Sequence, residues 1–487
     1  MEIFTDCNTA SLAPYVPTAE NPWDERKISH LYRRIGFSAS AETINAAINQ
    51  NPLNLVDALI DEAINKPLLP QPTWAFWDEN NYPADEDMAR EVTGGQVDEW
   101  ELTVTRGLIN NGLRERLSFF WSNHFVTEYR EYQCPGYLYQ YYDTLERHAI
   151  GNFREFTREI GLTPAMLMYL DGGRNRRGAP NENYARELYE LFTMGEGNGY
   201  TEQDILETAR ALTGYTDRPV DCGTISFDPE TYDNGTKTIF GRTGNWGYDD
   251  VIDILFEEHS RIIGTFICRR FYSFFVSPEI NEQIVDQLVD TFVNNDFEIA
   301  PVLRQLFRSE HFFDDTTIGV VIKSHFDFFV NFINESGLGY GDETLQLMTN
   351  ACRLAGQQLF SPVDVAGWQR NRSWINSNSL ILRWSMLETF ITRAWEADQE
   401  QFRTIALAAV GGDSNDLPFV VGKIIDRFVP KGLFSPSETD VACQVFKSEL
   451  TDDHMVGGAW NLYNEHVPLQ VFQLLLHLTR QPELQLK

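Results

Sequence analysis

GGRNRRGAPNENYARELYELFTMG, residues 172–195, places three arginines in a glycine-bounded loop and follows them at once with helical periodicity. At about 100° per residue, Glu182, Arg186, Glu190 and Thr193 fall on one side of that helix and Asn183 and Glu187 flank them, while Tyr184, Leu188, Leu191 and Phe192 face away. A helix with one apolar face must bury that face against other elements, and the sequence on either side supplies them.

Upstream, RERLSFFWSNHFV over residues 114–126 repeats apolar positions at three- and four-residue spacing, and the same pattern covers 137–149 and 153–161. Downstream, 202–213 opens on Thr201 with Asp204 three residues on, the spacing of a capping box. Pro14, Pro17 and Pro22 mark an irregular lead-in, after which Ile28, Leu31, Tyr32, Ile35 and Phe37 begin a helical stripe, followed by helices over 41–49 and 53–65 and an acidic, Pro-rich connection over 67–87. The pattern changes at 222–244, where residues 224–227 and 236–240 alternate around a turn-rich stretch containing Asn234–Gly235 and predict a β-hairpin near residues 223–241. Helical periodicity then resumes from 249 to 479 without a fixed repeat, which excludes a solenoid. The expected fold is predominantly all-α, a multi-helix bundle with one small β-hairpin. The expected division is an irregular segment over 1–24, a main helical domain over 25–340 that carries the arginine loop and the hairpin, and a C-terminal helical region over 341–487 packed on it.

Of the 487 residues, 43% are hydrophobic and 13% aromatic, enough for a large interior. The 71 acidic residues against 39 basic give a net charge of −32, which repels phosphate backbones and argues against a nucleic-acid partner. No window reaches the ~18 consecutive apolar residues of a membrane span. The first residues carry Glu2 and Asp6 and lack the basic and apolar regions of a classical signal peptide, so a soluble chain, cytoplasmic by default, is expected. Cys7, Cys134, Cys222, Cys268, Cys352 and Cys443 lie far apart with no C-x-x-C pair and are expected to be ordinary buried thiols, although their even number permits bridges in an oxidising compartment.

The chemistry-bearing residues concentrate around the opening motif. Arg174, Arg176 and Arg177 carry planar donor forks suited to carboxylate, sulfate or phosphate, and they adjoin a helix start that Asn181 is placed to cap. His124 and His148 stand among aromatic residues in apolar helices, and Asp171 ends the apolar run that enters the loop. Together these suggest an anion-accepting pocket in which Arg174, Arg176, Arg177, Asn181 and Arg186 hold an anion while His124, His148, Asp171, Glu182 and Glu187 handle protons, in acid–base or metal-assisted hydrolysis of an anionic substrate. The bland alternative is a solvated helix face with Glu182–Arg186 and Arg186–Glu190 pairs, each worth ~0.2–0.5 kcal/mol. His124 and Glu128 are spaced i,i+4, but this alone makes no metal site, and neither a metal ligand nor a cofactor is assigned. Serine-hydrolase, phosphate-loop and dinucleotide fingerprints are absent.

WDERKISHLYRRIGF, FWSNHF, RHAIGNFREF, the run from TPAMLMYLDGG through LFTMG, YTEQDILETARALTGY, FDPETYDNGTKTIFG and SPVDVAGW occur in that order from Trp23 onward. In these segments the chain resembles the bacterial family catalogued as domain of unknown function 1800. The resemblance implies a mostly helical fold, an envelope location and, as a possible protein partner, an exported sulfatase-like hydrolase, for which this chain would be a non-catalytic binding or escort protein. It implies no reaction. Tyr232–Asp233 stands in the hairpin where similar sequences commonly show His–Asp, so a mechanism that needs a histidine there is not expected.

Overall fold

The computed structural model describes residues 11–110, 112–215, 222–448 and 460–487. It is predominantly all-α, and among the described residues its sheet consists of two short antiparallel strands.

Two helices are buried nearly all round and organise the rest. Leu113–Ser122 is covered from Leu113 to Trp121 and packs against Pro52–Asn65, Glu86–Asn110 and Pro135–His148. Trp121 lies at its heart with its ring against Phe125, Phe153, Phe156 and Phe271, and its Nε1 donates to the Ala149 carbonyl at 2.9 Å. The second hub, His325–Ser336, contacts Glu86–Asn110, Asp342–Leu354, Ser377–Ala397 and Leu417–Phe428. A helix starting in the interior must satisfy its own first N–H groups, and Ser324 and Asp327 do so as a capping box. Thr201 and Asp204 form the capping box their spacing predicts. Asn152 accepts from the N–H groups of Arg154 and Glu155 at 3.0 and 3.2 Å and opens Phe153–Ile160.

The interior also holds charge. Arg33 pairs with Glu335 at 2.6 Å and donates to the Arg427 carbonyl, while Arg427 donates to the Glu335 carbonyl. Arg383, fully buried, donates to His325 Nδ1, the Lys323 carbonyl and Gln485 Oε1. These bonds run between the N-terminal helix, the His325–Ser336 hub and the last helices.

The hairpin differs in detail from its expected register. Lys237–Ile239 pairs with Arg242–Gly244, with Ile239 opposite Arg242. The turn is therefore Phe240–Gly241, both at positive φ as a tight type I′ connection requires. Phe227 instead forms a bridge with Tyr215. Asn234–Gly235 belongs to a loop held by Asp233, which accepts from Gly235 N and pairs with Arg210.

Cys134 and Cys222 are joined in a disulfide across 5.8 Å of Cα separation, whereas buried thiols were expected; long-range pairing of this kind leaves no mark on local spacing. Cys268 and Cys352 are buried thiols, Cys443 is half-buried, and Cys7 lies outside the described residues.

Candidate functional site

The residues singled out from sequence settle in separate places. His124 is 2% exposed and ringed by Phe120, Trp121, Phe125, Phe153, Phe192 and Phe266. Arg270 Nη1 donates to its Nδ1, so the ring proton is on Nε2, which donates to the Phe192 carbonyl at 2.9 Å. Burial first, and then the Arg270 charge, holds the imidazole well below its ordinary pKa and keeps it neutral. His148 ends its helix 2.6 Å from Glu159, which also pairs with Arg147, on the wall of an open groove of about 700 Å³ that also takes in Asp143 and Arg158. None of the other predicted residues lines that groove.

The arginine loop turns outward. Arg174 pairs with Asp171 at 2.8 Å, Arg176 donates to the Gly173 carbonyl at 3.3 Å, and the Arg174, Arg176 and Arg177 side chains are exposed. The loop is anchored by Asn175, which is buried and donates to the Ala209 carbonyl while accepting from Asn181 N. Asn181 Oδ1 accepts from Asn183 N, and Asp171, at positive φ, accepts from Asn183 Nδ2. The helix is α only over Asn183–Glu187 and widens to π geometry over Leu188–Thr193. Arg186 is shared among Glu182, Glu190 and Glu202. Glu187 is raised above the usual carboxylate range by burial and then by Glu190. Among the described residues none of these side chains bonds or pairs with either imidazole, although the Phe192 carbonyl at the end of the same helix receives His124. Among the described residues no three His, Cys, Asp or Glu side chains are arranged to hold a metal ion.

A cavity of about 260 Å³ opens elsewhere, walled by Phe119, Phe120, Phe274, Trp368 and Trp374. Its sides come from the Leu113–Ser122 and Ser260–Phe275 helices, the start of His325–Ser336, and the loop that ends in the short Asn371–Trp374 turn. Asn123 seats the Gly367–Trp368 step of the loop. Gly367 has φ +89°, and a Cβ there would lie 2.3 Å from Asn123 Oδ1, the atom that accepts from Trp368 N at 2.5 Å. Trp368 then lays its ring 5.1 Å from that of Phe119 and donates Nε1 to the Gln358 carbonyl. Thus FWSNHF and SPVDVAGW, distant in sequence, meet at one wall.

The polar lining is unusually cationic for so acidic a protein. Asp327 is held by Arg116 and by Lys487 at 2.7 Å; burial opposes its charge, but the two cations prevail and keep the carboxyl well below its usual range. Arg116 lies between the rings of Phe37 and Phe274, 4.5 Å from each centroid, with Nε and Nη2 lacking hydrogen-bond partners. Arg34 behind it leaves Nε and Nη1 equally unpartnered. Arg370 lines the cavity, and its charge reaches Arg270, one turn before Ser273 and Phe274 on their helix. Neither arginine forms an ion pair with a carboxylate among the described residues, and burial, followed by Arg370, pushes Arg270 down to about 9. Sequence reading missed Arg270, Arg370, Asn123 and Trp368. The available signal was an arginine two residues after a Gly–Trp pair, and an asparagine inside an aromatic run.

A family model described as protein of unknown function (DUF1800) matches residues 30–486. No curated protein and no solved structure matches the chain. No helix among the described residues is long and apolar enough to cross a membrane.

Proposed function

The chain belongs to the DUF1800 family of proteins of unknown function, and from that premise we propose that it is a ligand-binding protein whose site is the aromatic cavity between the Leu113–Ser122 helix and the Trp368 loop. The single observation that carries this reading is the cavity itself: concave, mostly apolar, and provided with a few fixed polar groups, as small-molecule sites are. Binding is favoured over turnover because the polar groups deepest in the wall are committed to one another. Ser324 and Asp327 cap a helix reciprocally, and Lys487 is paired with Asp327. The test is thermal unfolding with intrinsic tryptophan fluorescence against a panel of compact aromatic compounds. A ligand at about 100 times its Kd adds roughly 2.7 kcal/mol of stability and perturbs Trp368 and Trp374. A panel that moves neither signal at millimolar concentration rejects the reading.

A second reading, acid–base hydrolysis of an anionic substrate, is favoured by the His148–Glu159 pair, in which a carboxylate orients an imidazole on the wall of a groove. Here His148 is the proposed general base. His148→Asn is expected to abolish any hydrolysis of aryl phosphate or sulfate esters at least 100-fold, and turnover unchanged by that substitution removes the reading.

We also propose a protein partner of the exported, sulfatase-like kind and an oxidising compartment, with nucleic acid excluded as a partner by the charge of −32. The Cys134–Cys222 bridge supports the compartment, since such bonds persist where thiols are not kept reduced. Stoichiometric co-purification with such a hydrolase from its native host is the expected result, and recovery of the chain alone counts against it.

A further inference from the structure

We propose that Arg370, with Arg270 behind it, forms an anion clamp at one end of the aromatic cavity, so that the ligand is a compact aromatic body carrying a single oxyanion such as a carboxylate or sulfonate. The inference rests on the binding reading above and adds the charge and shape of the ligand to it.

The charge inventory of the wall carries the argument. Arg370, Arg270, Lys487, Arg116 and Arg34 lie in or behind it, and Asp327 supplies the one side-chain carboxylate of the lining, already occupied by Arg116 and Lys487. In a chain with 32 more acids than bases, arginines without a carboxylate are poorly explained as structural pairs. With no carboxylate beside them, Arg370 and Arg270 repel one another, and an incoming anion relieves that repulsion. Arg270 is held in position: its Nη1 donates to His124 Nδ1, and its guanidinium lies 4.8 Å from the Phe266 ring centroid. The neutral His124 is fixed in turn by the Phe192 carbonyl, so this imidazole serves as a positioning residue for the clamp. Arg370 is exposed at the cavity edge, where it can move to meet a ligand.

Size and wall chemistry fix the remainder. At about 260 Å³ the space lies below the roughly 300–1,000 Å³ of drug-sized sites, which limits the occupant to one or two rings. Trp368, Phe119 and Phe274 give it an aromatic wall, and a planar guanidinium suits a carboxylate or sulfonate in two-point contact.

The experiment compares 2-naphthoate with uncharged 2-naphthalenemethanol by isothermal titration calorimetry on the full chain, for the parent, Arg370→Gln and Arg370→Lys. The expected result is naphthoate bound at least tenfold more tightly than the alcohol, with that preference lost in Arg370→Gln, largely kept in Arg370→Lys, and weakened by salt. Because Arg370 is a surface residue of a loop, its replacement leaves the fold intact, and an unchanged thermal unfolding midpoint without ligand is the internal control. Equal binding of both compounds by the parent, or a preference that survives Arg370→Gln, overturns the clamp and leaves the binding reading standing. Failure of both compounds to bind overturns the two together.

Discussion

At the scale of single residues, histidine and glutamate show how far environment departs from residue type. His124 stands in an aromatic run where an imidazole suggests chemistry, yet both ring nitrogens are occupied and the ring is held neutral. Glu146 is the less expected case. It is buried beside Glu115, receives Leu69 N on both carboxylate oxygens, and is pushed up to about 9 by burial first and by Glu115 second. In the unfolded chain the same group ionises near its ordinary value of 4.5. The folded pKa is the higher of the two, so this contribution to stability is complete below about 4.5 and is lost as pH rises toward 9. Glu146→Gln keeps an acceptor for Leu69 and removes the titration. Its unfolding free energy from urea titration is expected to gain on the parent between pH 5 and pH 8, by an amount on the order of 1 kcal/mol or more. A difference between the two proteins that does not change with pH rejects the assignment.

At the scale of elements, local signals read well where the chain closes its own hydrogen bonds. The Thr201–Asp204 box and the helix starts at 153 and 52 lie where caps and Pro positions put them. Two elements read differently for tertiary reasons. The polar helix follows 3.6-residue periodicity only to Glu187, after which its turn widens and the Phe192 carbonyl receives His124. The hairpin closes at Phe240–Gly241, one turn later than Asn234–Gly235 suggests, because Asp233 and Arg210 hold the earlier turn as a loop. The Trp368 loop depends on one backbone position. Gly367→Ala forces a Cβ to 2.3 Å from Asn123 Oδ1 at a φ of +89°. It is expected to cost roughly 1–3 kcal/mol and to weaken aromatic-ligand binding by unseating Trp368. Unchanged stability and unchanged tryptophan response to ligand exclude this role for the glycine.

At the scale of the whole molecule, buried ion pairs between distant segments tie the bundle together. Arg33 and Glu335 are each 2% exposed in their side chains, with Arg427 bonded to both residues. Removing one member leaves the other charge buried and unpaired, so Arg33→Met is expected to destabilise by about 3–5 kcal/mol, and the double variant Arg33→Met, Glu335→Met to recover much of the loss. Equilibrium unfolding of the three variants checks this, and a single-variant loss below 1 kcal/mol excludes it. Sequence alone determined the helical class, most helix positions, the Thr201–Asp204 cap, the absence of a long apolar span and the family resemblance, because each is written in neighbours three or four residues apart or in the order of motifs. The cap expected at Asn181 falls instead at Glu182, without a side-chain bond. Only the tertiary structure decided that the arginine loop faces outward, that Cys134 meets Cys222, and that Asn123 receives Trp368 across 245 positions to wall a cavity. Local periodicity fixes which face of a helix is apolar. Which distant side chain covers that face, and whether a charge beside it finds a counter-ion, depends on packing that no short window of sequence encodes.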